Sequence, residues 1–280
     1  MNEVVKYDNY MNGLKFTGFT ATDFNFLMLL CSKMRDKDVI EVIIPFEELR
    51  EKTGYTRTSI QKFRTDLERM NEKLMKVTCK LKTETKTLMF VLFPTFEIDL
   101  DSQTLTVCVN EKFKFILNEI IKNFTRFNLD EFIKLDSKYS KSLYRLLKQF
   151  KSTGKFESKL DDFRDKMDIP ISYTNRDVMS KVINPSLKEL QTYFTDLQCT
   201  TKYARKRGKP VTGYIFTFEP EQIPKPSPIE TQSTAATSRP PSKPQRNYNQ
   251  NKPKNQFHQF HQREVTQEEL DELERKLLNR

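Results

Sequence analysis

The residues of this chain that could do chemistry are mostly cations, and the densest group is Arg205, Lys206, Arg207 and Lys209 around the turn residue Gly208. A cluster of that kind suits phosphate oxygens, which accept from Lys and Arg whatever the neighbouring base. Upstream, Thr174 is placed to cap a helix that carries Asn175, Arg176, Lys181 and Lys188. Arg and Lys match the acceptors of guanine and Asn matches adenine, so Asn175, Arg176 and Lys181 are the candidate base readers. By its helical angle Arg176 lies near the edge of the apolar stripe. A second group, Thr58, Ser59, Lys62 and Arg69 with Thr65, falls on one face of an earlier helix. Spans 56–82 and 174–215 each hold eight Lys or Arg against three acids. Either cluster alone also fits a merely solvated surface. A basic helix face followed by a basic wing, occurring twice, points to nucleic acid.

The same inventory argues against catalysis. The only histidines, His258 and His261, lie in a polar tail, so no His-based metal centre or triad is expected in the body. Cys31, Cys79, Cys108 and Cys199 are too far apart in sequence for a zinc or redox motif and read as structural thiols. Six glycines form neither a phosphate-binding P-loop nor a dinucleotide fingerprint. No catalytic residue, metal or cofactor is therefore expected. The balance of 48 Lys+Arg against 38 Asp+Glu, net +10, favours a polyanionic partner, nucleic acid before an anionic membrane surface. No run reaches the ~18 apolar residues of a spanning helix, and the N-terminus lacks a signal-peptide core. A cytoplasmic protein with no membrane partner is the expectation.

Positioning these cations requires particular elements. Ile60, Phe63, Leu67, Met70 and Leu74 recur at helical spacing and predict one core-facing stripe, on a helix capped by Thr56. Met179, Val182, Ile183, Leu187, Leu190 and Phe194 predict a second, which Pro185 should kink or split. Leu197–Tyr203 and Val211–Phe218 read as strands on either side of the basic turn. An internal near-repeat reinforces the parallel: Glu47–Lys52 matches Asp161–Lys166 in charge and apolarity at each position, and Tyr-Thr follows each copy. Both copies sit between a strand-like stretch and a long amphipathic helix, with alternating residues after it. Helix, strand, helix, helix and hairpin in that order is the plan of a winged helix-turn-helix.

The fold class predicted is therefore α+β, with two tandem winged-helix domains over 1–125 and 126–221. Residues 222–263, with more than half of the thirteen prolines and seven basic residues against Glu230 alone, predict a disordered basic linker. Residues 264–280 predict a short amphipathic helix, opened by a Thr266/Glu269 capping box. Its Leu270, Leu273 and Leu277 share one face and suit a partner's groove, with docking on the chain's own body as the alternative. The strands over 88–109 carry apolar residues on both faces, and either the second domain or another subunit could cover them.

The stretch Phe132–Gln149, which reads FIKLDSKYSKSLYRLLKQ, resembles the signature of the Rep_3 family of plasmid replication initiators. The resemblance continues through Leu160–Ile169, Val182–Leu190 and Gly208 to Phe218, and spans roughly residues 10–221. It implies two tandem winged-helix domains that bind directly repeated sites, iterons, in double-stranded plasmid origin DNA. It further implies origin opening and loading of host replication proteins such as initiator, helicase or primase. Self-association is implied too, with dimers repressing the protein's own gene and monomers firing the origin. Carried over, Thr174–Leu190 and the turn Arg205–Lys209 would be the main iteron reader. The family pattern offers no counterpart for 222–280. A repressor of the same fold without initiator activity is the nearest rival. A rolling-circle nicking enzyme would need metal-binding histidines, which the body lacks.

Overall fold

The computed structural model describes residues 3–35, 41–55, 59–82, 84–111, 114–117 and 123–221. The expected linker and terminal helix, with Leu270, Leu273 and Leu277, lie outside the described residues, as does Thr58.

The first half is organised around α1 (Ala21–Met34), buried along Phe24–Cys31. Thr20 and Asp23 close a capping box at its start, the Asp23 carboxylate accepting from Thr20 N–H at 2.7 Å. The same carboxylate takes Lys73 Nζ at 2.6 Å, which ties α3 (Ile60–Met75) to α1. Helix α2 (Phe46–Thr53) leads into α3 through Gly54, whose φ of 66° supplies the left-handed cap that ends α2. Ser59, not Thr56, caps α3, and the helix starts at Ile60. Phe63, Leu67, Met70 and Leu74 are buried as the spacing predicts, but Ile60 in the first turn is exposed.

After α3 the two halves differ. In the second half β8 (Lys155–Lys159), β10 (Val211–Thr217) and β9 (Gln198–Tyr203) form an antiparallel sheet in the order β8-β10-β9. Its counterpart in the first half is β2 (Glu41–Pro45), β6 (Thr104–Cys108) and β5 (Thr95–Asp99), in the order β2-β6-β5. Between α3 and β5 the first half inserts a separate hairpin of β3 (Thr78–Lys82) and β4 (Thr87–Val91). The apolar run over 88–109 is thus divided between two sheets. Leu92, Phe93, Leu105, Val107 and Val109 are buried in the protein's own core, while Met89 is 60 % exposed.

One core runs through both halves. Strand β1 (Val4–Asp8) pairs with β7 (Phe124–Asn128), so the expected division at 125/126 falls within a strand. Short helices α4 (Lys114–Leu117) and α5 (Leu129–Ile133) flank that pairing, and α6 (Lys138–Gln149) follows. Helix α6 is buried from Ser140 to Lys148. Its Arg145 guanidinium is 3 % exposed and donates to Met11 O at 3.0 Å, Tyr7 Oη at 3.2 Å and Asn12 Oδ1 at 3.3 Å, against the faces of Phe16 and Phe24. A buried cation is tolerated there because its donors and its ring contacts replace water. Lys148 of the same helix takes Glu221 at 2.8 Å, binding the end of the second half to this spine.

The second half repeats the helix-turn-helix with α7 (Leu160–Lys166) and a longer helix, α8, made of Asn175–Asp177, Val178–Ile183 and Asn184–Leu190 run together. Backbone angles at the two junctions stay right-handed helical, so Pro185 neither splits nor breaks it. The middle segment instead winds as a π-helix. Its buried residues are Val178, Val182, Ile183, Ser186 and Leu190, whereas Met179 and Leu187, expected in the core, are half-buried. At Gly213 a Cβ would lie 2.2 Å from Ser158 O, so only glycine lets β10 approach β8 this closely.

Candidate nucleic-acid interface

The second half presents its cations on two adjoining structures. Thr174 caps α8: its Oγ1 accepts from Asp177 N–H at 3.2 Å, and the Asp177 carboxylate accepts from Thr174 N–H at 3.0 Å. Thr174 is thereby committed to holding the helix start rather than free for DNA. Asn175 and Arg176 are exposed in the first turn, and Arg176 stands clear of the apolar stripe. The turn before the helix is held by Arg164, whose guanidinium donates to the Tyr173 carbonyl. Lys181 pairs with Asp177 at 2.8 Å and lies over the Tyr173 ring at 5.0 Å. That pairing holds the Asp177 carboxyl well below the usual carboxylate range and raises the Lys181 ammonium. Asp177 is a partner of Lys181 that sequence reasoning did not single out, although an Asp four residues before a Lys on a helix signals such a pair. Lys188, on the far side of the π-segment, is exposed.

The turn between β9 and β10 is a projecting wing. Ala204 N–H donates to Pro210 O and Lys209 N–H to Lys206 O, and Gly208 and Lys209 take φ values of 81° and 38°. Arg205, Lys206, Arg207 and Lys209 are all exposed, and among the described residues none of them makes an ion pair. Cations at a hairpin tip that make no ion pair among the described residues could meet phosphates without first breaking such a contact.

The first half is less well equipped. On α3, Ser59 Oγ accepts from Lys62 N–H at 3.4 Å as the cap, and Thr65 Oγ1 donates to Gln61 O. Arg69 is paired with Asp66 at 3.2 Å and Arg64 with Glu68 at 2.7 Å, so the ridge is partly self-neutralised. Lys62 is exposed. The turn between β5 and β6, which corresponds in topology to the basic wing, carries Asp99 and Asp101 instead. The Asp99 carboxylate accepts from Asp101 and Ser102 N–H at 2.8 and 3.1 Å, and these hydrogen bonds with the Ser102 side chain lower its pKa. Local patterning could not show this asymmetry, because the inserted β3–β4 hairpin occupies the place in sequence where a wing was expected.

Among the described residues no group of three or more His, Cys, Asp or Glu is placed to hold a metal ion. Among the described residues no helix is long and apolar enough to cross a membrane.

Comparison with known proteins places this arrangement. Residues 4–148 match the family described as "Initiator Replication protein, WH1", and residues 159–218 match "Initiator Rep protein, WH2". A "Probable replication protein rep" from Bifidobacterium longum (strain NCC 2705) is 33 % identical over 228 residues, covering 80 % of this chain and 75 % of that protein. The crystal structure of Pi initiator protein in complex with iteron DNA aligns with a TM-score of 0.59 at 15 % identity, over 79 % of this chain and 99 % of the other. Two winged-helix halves in fixed order, matched over residues 4–148 and 159–218, make this chain a member of the Rep_3 family of replication initiator proteins.

Proposed function

We propose that the protein initiates plasmid replication by binding directly repeated sequences, iterons, in duplex origin DNA. The observation that carries this reading is the unpaired basic wing Arg205–Lys209 beside the exposed first turn of α8. In this reading the wing holds phosphates and Asn175, Arg176 and Lys181 meet base edges in the major groove, with Lys188 further along the helix. Lys181 exchanges its contact with Asp177 for one with DNA. The first half, through Ser59, Lys62 and Arg69 of α3, contacts the neighbouring part of each repeat. The Pi initiator, whose fold this chain shares, was crystallised on iteron DNA.

Bound copies would then open the duplex and recruit host replication proteins, and a self-associated form would repress the protein's own gene. The free edge of β4 supports an assignment for self-association. Tyr10 Oη covers the outer edge of β3, accepting from Lys80 N–H at 2.9 Å and donating to Lys80 O at 2.8 Å. Among the described residues strand β4 pairs only with β3, so its own outer edge, around the exposed Met89, would be open to a second copy. Residues 222–263 would add sequence-independent affinity for DNA, and Leu270, Leu273 and Leu277 would enter a groove on a replication partner.

A nuclease footprint of the full chain across the DNA flanking its own gene tests the proposal. Several protected direct repeats, spaced near a whole number of helical turns, are expected. A single protected palindrome would instead assign the protein to operator repression.

A further inference from the structure

The helix that carries Asn175, Arg176 and Lys181 departs from α-helical winding in one place. Over Val178–Ile183 it is a π-helix, and the Asn184 N–H reaches the Met179 carbonyl five residues back. Such turns are rare and recur at functional sites. The local cause is Pro185. Inside a helix a proline offers no N–H to the carbonyl four residues before it, here that of Lys181, and its ring crowds that carbonyl. A widened turn ahead of the proline accommodates both effects while the backbone stays right-handed helical.

The side chains show that packing alone would not select this winding. Ser186 is fully buried and among the described residues its hydroxyl has no hydrogen-bond partner, while the adjacent Leu187 and the earlier Met179 remain half-exposed. Of the buried residues Val178, Val182, Ile183, Ser186 and Leu190, those from Ile183 on follow the three-and-four spacing of an α-helix, and the departure is confined to the wide turn before them. Burying a serine and exposing a leucine is a conflict between local preference and structure, and such conflicts concentrate at functional positions.

A π-turn holds one residue more than the α-turn it replaces. If residues 175–190 wound as a plain α-helix on the same Val182–Leu190 anchor, the first turn would be rotated by about 100°, one residue's worth. The Thr174–Asp177 box makes that turn move as a unit, while Lys181, next to the anchor, stays in place. We propose that Pro185, by holding the π-turn, is a specificity-determining positioning residue that sets the angle at which Asn175 and Arg176 face the bases relative to Lys181. The proposal rests on the reading of α8 as the DNA-reading helix.

The test uses the full chain and two probes of equal length: the duplex protected in the footprint and a scrambled duplex. Pro185→Ala removes the constraint and suits a helix better than proline. The expected result is a melting temperature equal to or above that of the parent and unchanged affinity for scrambled DNA. The ratio of specific to scrambled affinity should fall at least tenfold. Deleting Ser180 in the Pro185→Ala chain takes out the extra residue, returns the first turn to its original face and should recover most of the ratio. An unchanged ratio in Pro185→Ala overturns the proposal. So does a parallel loss of stability and of both affinities, which is the mark of a purely structural proline, or a failure of the deletion to recover discrimination. Asn175→Ala and Lys181→Ala are measured alongside. If both leave the ratio intact while Pro185→Ala lowers it, the angle-setting role is overturned; if none of the three changes it, the reading of α8 itself fails.

Discussion

The wing cations and the helix residues should respond differently to substitution, because only the latter meet bases in the proposed complex. Lys206→Ala or Arg207→Ala is expected to weaken binding to every sequence and to reduce the salt slope of log K by about one unit per lost phosphate contact. Titrations at several salt concentrations, against the protected and the scrambled duplex, check this. A loss confined to the protected duplex would move those residues from backbone to base contact. Another single residue governs a pH response. Lys141 is fully buried, its ammonium donates to Phe132 O at 2.6 Å and to Ile133 O, and burial pushes its pKa down to about 7. The unfolded chain holds that proton up to the ordinary lysine range, so between about pH 7 and 10 it binds more protons than the folded one. Stability should therefore rise with pH across that window, by up to about 1.4 kcal/mol per unit from this group. Urea denaturation at stepped pH should show this slope flattened in Lys141→Met, and an identical slope in both proteins would contradict the assignment.

At the scale of elements, the open edge of β4 is the feature with a measurable consequence. Met89→Glu places a charge on that edge and should shift the chain toward monomer by about tenfold or more in the dissociation constant, with the melting temperature little changed. Sedimentation equilibrium reads the shift; an unaltered association constant would place self-association elsewhere. The elements also show what was legible in the chain. The cap at Thr174 was readable because a short polar residue with an acid three positions on has one local meaning. The stripe of α3 was readable because nothing in it disturbs a 3.6-residue period, though its start was not, since Thr56, Thr58 and Ser59 are all acceptable caps. The face of α8 was misread at Met179 and Leu187 because the template assumed α-helical winding; Pro185 was the warning. The inserted β3–β4 hairpin was invisible for a different reason. Alternation identifies strands but not their partners, and β2 finds β6 across some sixty residues.

Over the whole molecule, α6 is the shared support. Arg145 joins it to Met11, Asn12 and Tyr7 from the N-terminal segment, and Lys148 joins it to Glu221. None of these partners is near in sequence, so the residues were visible but their association was not. With one continuous core, residues 1–222 should unfold in a single transition. Arg145→Ala leaves a buried hydroxyl, carbonyl and amide oxygen without their shared donor and should cost about 3–5 kcal/mol, as loss of one partner in a buried charged network does. Calorimetry on the full chain would show one lowered peak; two separated peaks would mean that the halves melt independently.

The acidic turn at Asp99–Gln103 gives the molecule a head and a tail with respect to a negatively charged rod. Where its counterpart in the second half offers four cations, this turn repels phosphate, so the two halves of a copy lying on DNA are not interchangeable. Copies on successive direct repeats would all point the same way. Any surface they share is then displayed as a row at the pitch of the repeats, a regular rail on which later-arriving machinery can be aligned.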